Sequence, residues 1–252
     1  MKSNTTYFTN EEMLKFMNNR NWYYSNPIFG WMCGFFSSID IFKYLFDIYR
    51  RYMIGITHDN GVIYWQCDYW GRCNTGKTEW HDSNGKVVAN STRYFKASPH
   101  NELTCYPFGL HLLSSHPLDM TVAVVKSETS ALMGATYNVI HLRNDTKLPL
   151  FIACGSTSLI DTLKHLENRH VVLFPDDADT EEWTRIAQQY SHLHRSIEVN
   201  DTVRNCVNAN LIPKGSDYST LMAYMRMETL SIGKRREKLK IENFTKQFIE
   251  VL

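Results

Sequence analysis

Residues 171–179 read Val-Val-Leu-Phe-Pro-Asp-Asp-Ala-Asp, and residues 122–128 read Val-Ala-Val-Val-Lys-Ser-Glu. Each stretch is an apolar run that ends abruptly in charged and polar side chains. A short uninterrupted apolar run is typical of a strand that is buried on both faces, as strands of parallel sheets are. We therefore predict two adjacent parallel strands whose carboxyl ends carry ionisable groups.

Strand-like and helix-like segments alternate around these two runs from Thr121 onward. Predicted strands cover residues 122–125, 150–154 and 171–174, and predicted helices cover residues 128–137, 158–166 and 181–190. This order indicates an α/β domain with a mainly parallel sheet that has helices on both faces. Binding sites of such sheets lie at the carboxyl ends of the strands.

The first half of the chain predicts a different architecture. Helix-start residues at 9–12 and apolar residues at helical spacing over 39–52 indicate N-terminal helices. The many aromatic side chains of residues 22–36 are assigned to core packing rather than to a base-stacking platform. From Met53, short β-type runs separated by turns at residues 59–61 and 82–85 indicate an antiparallel meander.

The predicted fold class is therefore α+β, with N-terminal helices and an antiparallel meander followed by the α/β domain. Its predicted parts are an N-terminal helical region (1–52), a β-rich region (53–117), the α/β domain (118–232) and a basic C-terminal helix (233–252).

Composition limits the classes of function. The 252 residues carry a formal net charge of +1, so any contact with nucleic acid must come from a local patch rather than from bulk attraction. The six cysteines include no Cys-x-x-Cys pair, the start is not a signal peptide, and charged residues interrupt the best membrane-span candidate. We therefore predict a cytoplasmic protein with free thiols that does not cross a membrane.

Residues 71–78, Gly-Arg-Cys-Asn-Thr-Gly-Lys-Thr, satisfy the Walker A expression letter by letter. A phosphate-binding loop of this kind needs a helix directly after it. Here a turn at residues 82–85 follows within a few residues, so a β-hairpin is favoured over a phosphate loop. The hairpin interpretation predicts no nucleotide cofactor, and it places Arg72 and Lys77 on an exposed β-surface where they would contact nucleic acid.

The acids at the predicted strand ends form the second candidate site. Converging carboxylates repel each other unless a cation binds, and Mg²⁺ prefers oxygen ligands, so Glu128, Asp176, Asp177 and Asp179 are candidate metal ligands. The competing interpretation is that Asp179 or Thr180 only caps the helix that begins near Glu181. We favour a site role for Asp176, while the sequence leaves open which of the three aspartates faces the crevice.

A strand that ends in an acid, followed by a later strand that ends in an Asp-x-Asp-like run, resembles the Toprim domain of primases, topoisomerases and some nucleases. More narrowly, five blocks resemble Toprim-like proteins of bacterial mobile elements and phages: residues 68–77, 108–113, 122–131, 171–176 and 215–218. The resemblance implies a role in nucleic-acid transactions such as DNA replication, with Mg²⁺ as cofactor. In such domains the strand-end glutamate is a general acid/base or metal-associated group.

This chain departs from the Toprim pattern at that strand-end glutamate, because Lys126 occupies the position and Glu128 follows two residues later. In one interpretation, Lys126 acts as a built-in cation beside Asp176. The protein is then a catalytically silent binding or adaptor protein. Its partner is nucleic acid, either DNA or RNA, or another protein. In the other, Glu128 joins the aspartates as a catalytic group in a Mg²⁺-dependent primase-type or nuclease-type enzyme.

Overall fold

The computed structural model describes residues 5–17, 25–36, 41–141 and 148–230, and the chain divides into two compact units, Met1–Ser115 and His116–Leu252. The predicted basic helix at 233–252 and the aromatic residues 22–24 lie outside the described residues. Within the described residues, no helix has the length and apolar character that a transmembrane segment requires.

The first unit contains helices and an antiparallel sheet, as predicted. Its helices are α1 (Asn10–Met17), α2 (Pro27–Phe36) and α3 (Ile41–Arg51), and its strands are β1 (Ile54–Ile56), β2 (Val62–Cys67), β3 (Cys73–Glu79) and β4 (Arg93–Lys96). The strands pair in chain order, β1-β2-β3-β4, and all three pairings are antiparallel. After the predicted turn at 82–85, residues 86–88 contribute only an isolated bridge between His81 and Val87.

Local chemistry explains how α1 begins and where it packs. The Thr9 hydroxyl accepts a hydrogen bond from the Glu12 backbone N–H at 3.2 Å, and the Glu12 carboxylate accepts one from the Thr9 N–H at 2.7 Å. This reciprocal capping box satisfies two backbone donors that the first turn leaves unpaired. Met13 and Met17 then pack in a core cluster with Ile63, Trp65 and the cysteines of the β2–β3 hairpin.

The Gly-Lys-Thr run lies within β3, so the predicted β-hairpin is confirmed. Lys77 pairs with Tyr64 of β2, and Thr78 pairs with Ile63. The prediction that Lys77 is exposed is wrong: its side chain is buried, and its ammonium nitrogen lies 2.9 Å from a carboxylate oxygen of Glu79. Arg72, in contrast, is exposed as predicted.

ATP is expected to leave the melting temperature of this protein unchanged. A strand offers the phosphates no row of unpaired backbone N–H groups at a helix N-terminus, and the Lys77 ammonium is already occupied by Glu79. Differential scanning fluorimetry with and without Mg-ATP measures this directly. A clear rise that Lys77→Met abolishes would contradict the hairpin interpretation.

The prediction of free thiols is wrong for two of the six cysteines. Cys67 and Cys73 form a disulfide bond across the start of the β2–β3 hairpin, and both residues are buried. Residues 68–72 turn the chain so tightly that the last residue of β2 and the first of β3 face each other in the sheet. Cys33, Cys105, Cys154 and Cys206 are free thiols.

The second unit is a parallel α/β domain, as the apolar runs predict. Its elements in chain order are β5 (Thr121–Val125), α4 (Glu128–His141), β6 (Leu150–Ala153), α5 (Leu159–Lys164), β7 (His170–Phe174), α6 (Thr180–Tyr190), β8 (Ser196–Val199), α7 (Thr202–Asn208) and α8 (Tyr218–Leu230). The sheet has the order β6-β5-β7-β8, and every pairing is parallel. The predicted α+β fold class is confirmed.

Candidate functional site

The candidate site begins where β5 and β7 end side by side. Val125 pairs with Phe174 in parallel register, so the residues that follow both strands emerge at the same edge of the sheet. The Gly155 N–H, just beyond β6, donates a hydrogen bond to the Lys126 carbonyl at 2.9 Å. The backbone of Lys126 is therefore held between neighbouring strands, while its side chain extends beyond the edge.

The Lys126 ammonium lies among acids that follow β7. Its nitrogen is 2.6 Å from a carboxylate oxygen of Asp179 and 3.8 Å from one of Asp176. The predicted proximity of Lys126 and Asp176 is thus confirmed. Burial lowers the pKa of Lys126, but the hydrogen bond that it donates to Asp179 and the charges of both aspartates outweigh this effect, so the net pKa is raised. Lys126 is therefore a cation at every physiological pH.

Asp176 is held in an environment that disfavours its charge. Burial and the nearby negative charge of Asp217 raise its pKa to about 7, although Lys126 acts in the opposite direction. Its second carboxylate oxygen, Oδ1, is buried and has no hydrogen-bond partner among the described residues. A largely buried carboxyl group at a strand end, with a raised pKa and an oxygen unpaired among the described residues, is a candidate functional group.

Glu128 occupies a different part of the strand edge, against the turn that follows β6. It is buried in the first turn of α4, and a Cβ atom on Gly155 would come within 2.6 Å of its carboxylate oxygen. Gly155 also has a positive φ of 58°, a conformation that glycine adopts without strain, and the absence of a side chain leaves room for the Glu128 carboxylate. Burial raises the pKa of the Cys154 thiol to about 12, and the charges of Glu128 and Asp176 add to this effect.

Asp177 makes structural contacts with residues that precede α8 rather than with Lys126. Its carboxylate accepts a hydrogen bond from the Gly215 N–H at 3.0 Å, and its own N–H donates to the Ser216 carbonyl at 3.0 Å. Arg204 approaches the same carboxylate at 3.9 Å and lines with it a cavity of about 990 Å³. Asp177, the first residue of a single 3₁₀ turn, therefore holds the loop before α8 in place.

The competing interpretation, in which Asp179 only caps the following helix, is not what the structure shows. Asp179 precedes α6, but its side chain makes no capping hydrogen bond. Its carboxylate instead binds Lys126.

Sequence reasoning did not assign Asp217 to the site, although it lies in the last block of the Toprim resemblance. Its carboxylate accepts hydrogen bonds from the backbone N–H and hydroxyl of Thr220 at 2.8 and 2.7 Å, in the first turn of α8. The same charge raises the pKa of Asp176. Asp217 therefore caps a helix and adds negative potential to the site.

The donor set does not suit Mg²⁺ in this arrangement. Across the described part of the chain, no three His, Cys, Asp or Glu side chains are grouped so that they would hold a metal ion. The ammonium of Lys126 carries only donors, cannot coordinate a cation, and lies between the two aspartates that a cation would need. The predicted set of Glu128, Asp176, Asp177 and Asp179 is divided among three different environments.

Residues 26–177 match the family described as a domain of unknown function, DUF6371, and this stretch is more than half of the chain. The chain belongs to the DUF6371 family. No curated protein matches it.

The DUF6371 chain is similar in fold to solved primase structures. One is the DnaG primase catalytic domain bound to ssDNA, with 13% identity and a TM-score of 0.53 over 92% of this chain and 78% of that one. Another is the Escherichia coli primase catalytic core, with 15% identity and a TM-score of 0.45 over 78% and 68%. The first likeness establishes a primase-like fold. A Toprim-like second unit agrees with it, because primase catalytic cores contain a Toprim domain.

Proposed function

We propose that this DUF6371 protein is a Toprim-like nucleic-acid-binding protein whose strand-end site is catalytically silent. One observation carries the proposal: the Lys126 ammonium lies 2.6 Å from Asp179 and 3.8 Å from Asp176. It thus supplies from within the chain the positive charge that converging acids otherwise draw from a divalent cation.

A lysine in this position changes what the site does chemically. A bound Mg²⁺ holds phosphate oxygens and lowers the pKa of its water, whereas an ammonium offers hydrogen bonds and a single charge. Lys126 is half-exposed, with 51% of its side chain accessible, so it also presents positive charge to a phosphate at the sheet edge. This arrangement favours binding over phosphoryl transfer.

Nucleic acid is the proposed ligand because of the fold. The DnaG domain that shares the fold was solved bound to ssDNA, and the sequence blocks resemble Toprim-like proteins of phages and mobile elements. An adaptor role in replication for such an element, in the cytoplasm and with a further protein partner, belongs to the same proposal. The net charge of +1 requires that the contact be local.

The alternative function is a Mg²⁺-dependent primase-type or nuclease-type enzyme. The observation that favours it is the buried Oδ1 of Asp176, which has no hydrogen-bond partner in the described part of the chain. In this alternative the Lys126 side chain would move out, and Asp176 and Asp179 would hold the metal that supports phosphoryl chemistry, with Glu128 as a further acid at the strand edge.

Binding and catalysis are separated by one set of measurements on the full chain. Fluorescence anisotropy should show micromolar or tighter binding of a labelled single-stranded oligonucleotide, with the same affinity in EDTA as in Mg²⁺. Gel assays should show neither cleavage of the oligonucleotide nor primer synthesis. Metal-dependent cleavage or synthesis that Asp176→Asn abolishes would establish the enzyme alternative, and absence of any binding would reject the proposed ligand.

A further inference from the structure

A rigid turn in the first unit, residues 68–72, lies outside the site described so far. The Asp68 carboxylate accepts hydrogen bonds from the backbone N–H groups of Trp70 and Arg72, each at 2.9 Å. Gly71 adopts a positive φ of 79°, and the Cys67–Cys73 disulfide closes the turn at its base. The turn is therefore fixed by its own hydrogen bonds and by the disulfide.

This rigid turn presents the most exposed large apolar side chain of the described residues. Trp70 is 75% exposed, and the neighbouring Tyr69 is 40% exposed. Their ring centroids are 6.0 Å apart at 81°, so the two rings form an open corner. An indole left in water forgoes the stabilisation that burial of an aromatic side chain gives. A fixed turn that holds it there is suited to a planar ligand.

Arg72 adds positive charge to this corner. Its guanidinium carbon lies 5.1 Å from the Trp70 ring centroid and 4.8 Å from that of Tyr7, so the group stacks on both rings. Asp68 engages the donors on Nε at 2.8 Å and on one terminal nitrogen at 2.7 Å. A guanidinium has five N–H donors, so donors remain for an anionic partner. Asp68 thus orients Arg72 without using up its capacity to bind.

We propose that Trp70 stacks an unpaired nucleobase of single-stranded DNA or RNA and that Arg72 binds the adjacent phosphate. Both requirements of such a site are present on one turn: an accessible aromatic face and an oriented cation. Base pairs in a duplex keep their faces stacked on one another, so a single strand is the ligand. This inference rests on the proposed function and names its substrate class.

The test is fluorescence anisotropy with four labelled oligomers of equal length. Three are single strands, of thymine nucleotides, of uracil nucleotides and of abasic nucleotides, and the fourth is a duplex. Trp70→Ala should weaken binding of the tighter-binding single-stranded oligomer about tenfold, because the variant loses one base–aromatic stack. Trp70→Phe should restore most of the affinity, while binding of the abasic and duplex oligomers should be unaffected by either change. Tyr94→Ala removes another partly exposed ring from the same unit and should change no affinity more than about twofold.

Each outcome supports or rejects the stacking site at Trp70 or the proposed function. If the wild type binds single strands and Trp70→Ala binds them equally well, the stacking site is rejected and the proposed function stands. Equal loss on the abasic oligomer also rejects stacking, since only phosphate contacts would then be affected. If the wild type binds none of the four oligomers, the proposed function fails together with the inference. The thymine oligomer is a deoxyribonucleotide strand and the uracil oligomer a ribonucleotide strand, so tighter binding of one supports DNA or RNA, respectively, as the ligand.

Discussion

Lys126→Glu should lower the melting temperature markedly in chelator and should make the protein responsive to Mg²⁺. The change replaces a cation that contacts Asp176 and Asp179 by a third carboxylate, near the charge of Asp217. Bound Mg²⁺ would then neutralise the cluster. At a hundredfold excess over Kd it should return about 2.7 kcal/mol of stability. Thermal melts of both proteins in EDTA and in graded Mg²⁺ measure this, and the wild type should respond little.

Lys164→Glu is the matched control for this substitution. Lys164 has a similar exposure, 55% of its side chain, and pairs with Asp161 at 2.9 Å on an open helix surface. Exposed pairs contribute little to stability, so this variant should melt within a few degrees of the wild type and ignore Mg²⁺. If the wild type binds Mg²⁺ as well as Lys126→Glu does, Lys126 does not occupy the cation position and the enzyme alternative is favoured. If neither responds, the acids do not converge.

Asp176→Asn should stabilise the folded protein at pH 8 by up to about 4 kcal/mol. The pKa of Asp176 in the folded state, about 7, lies above the ordinary value of 3.8. Below pH 3.8 the carboxyl is neutral in both the folded and unfolded states, so it carries no penalty there. Between pH 3.8 and about 7 the unfolded state ionises while the folded state keeps its proton, so stability is lost across this window and the loss is complete above about pH 7. The asparagine variant removes this loss.

Urea denaturation at pH 8 and at pH 4 measures the difference between the two proteins. The gain from Asp176→Asn should be largest at pH 8 and should disappear at pH 4. Asp161→Asn serves as control, because the hydrogen bond from Lys164 lowers the pKa of that exposed carboxyl, so the same change should bring no gain at pH 8. A loss of stability at pH 8 for Asp176→Asn would mean that attraction to Lys126 outweighs burial.

The parallel unit was predictable because its central strands are buried on both faces. The observed β5, β6 and β7 agree with the apolar runs to within one residue at either end. Strand β8 was missed, since Ser196–Val199 is an edge strand that is only half-buried and has no continuous apolar run. Element prediction thus succeeded where burial imposes a pattern and failed where it does not.

The side-chain environment of the sites was less predictable. Nothing in the polar run of β3 indicates that it lies buried, so the burial of Lys77 depends on what covers that face. In Asp-Asp-Ala-Asp, the side chains of Asp176, Asp177 and Asp179 contact different partners around one 3₁₀ turn. Composition does not specify that turn. The Cys67–Cys73 disulfide could have been predicted from the sequence, because a tight turn with Gly71 places the two flanking strand residues opposite each other.

The ion pair of Lys126 has a consequence for how the site behaves in a changing environment. A metal counter-ion leaves when its free concentration falls, whereas a lysine is attached to the backbone, so its effective concentration beside Asp176 and Asp179 is constant. Neither chelation nor dilution removes it. Under the proposed function, the charge balance at this edge of the sheet is therefore fixed by the sequence and does not depend on the magnesium concentration.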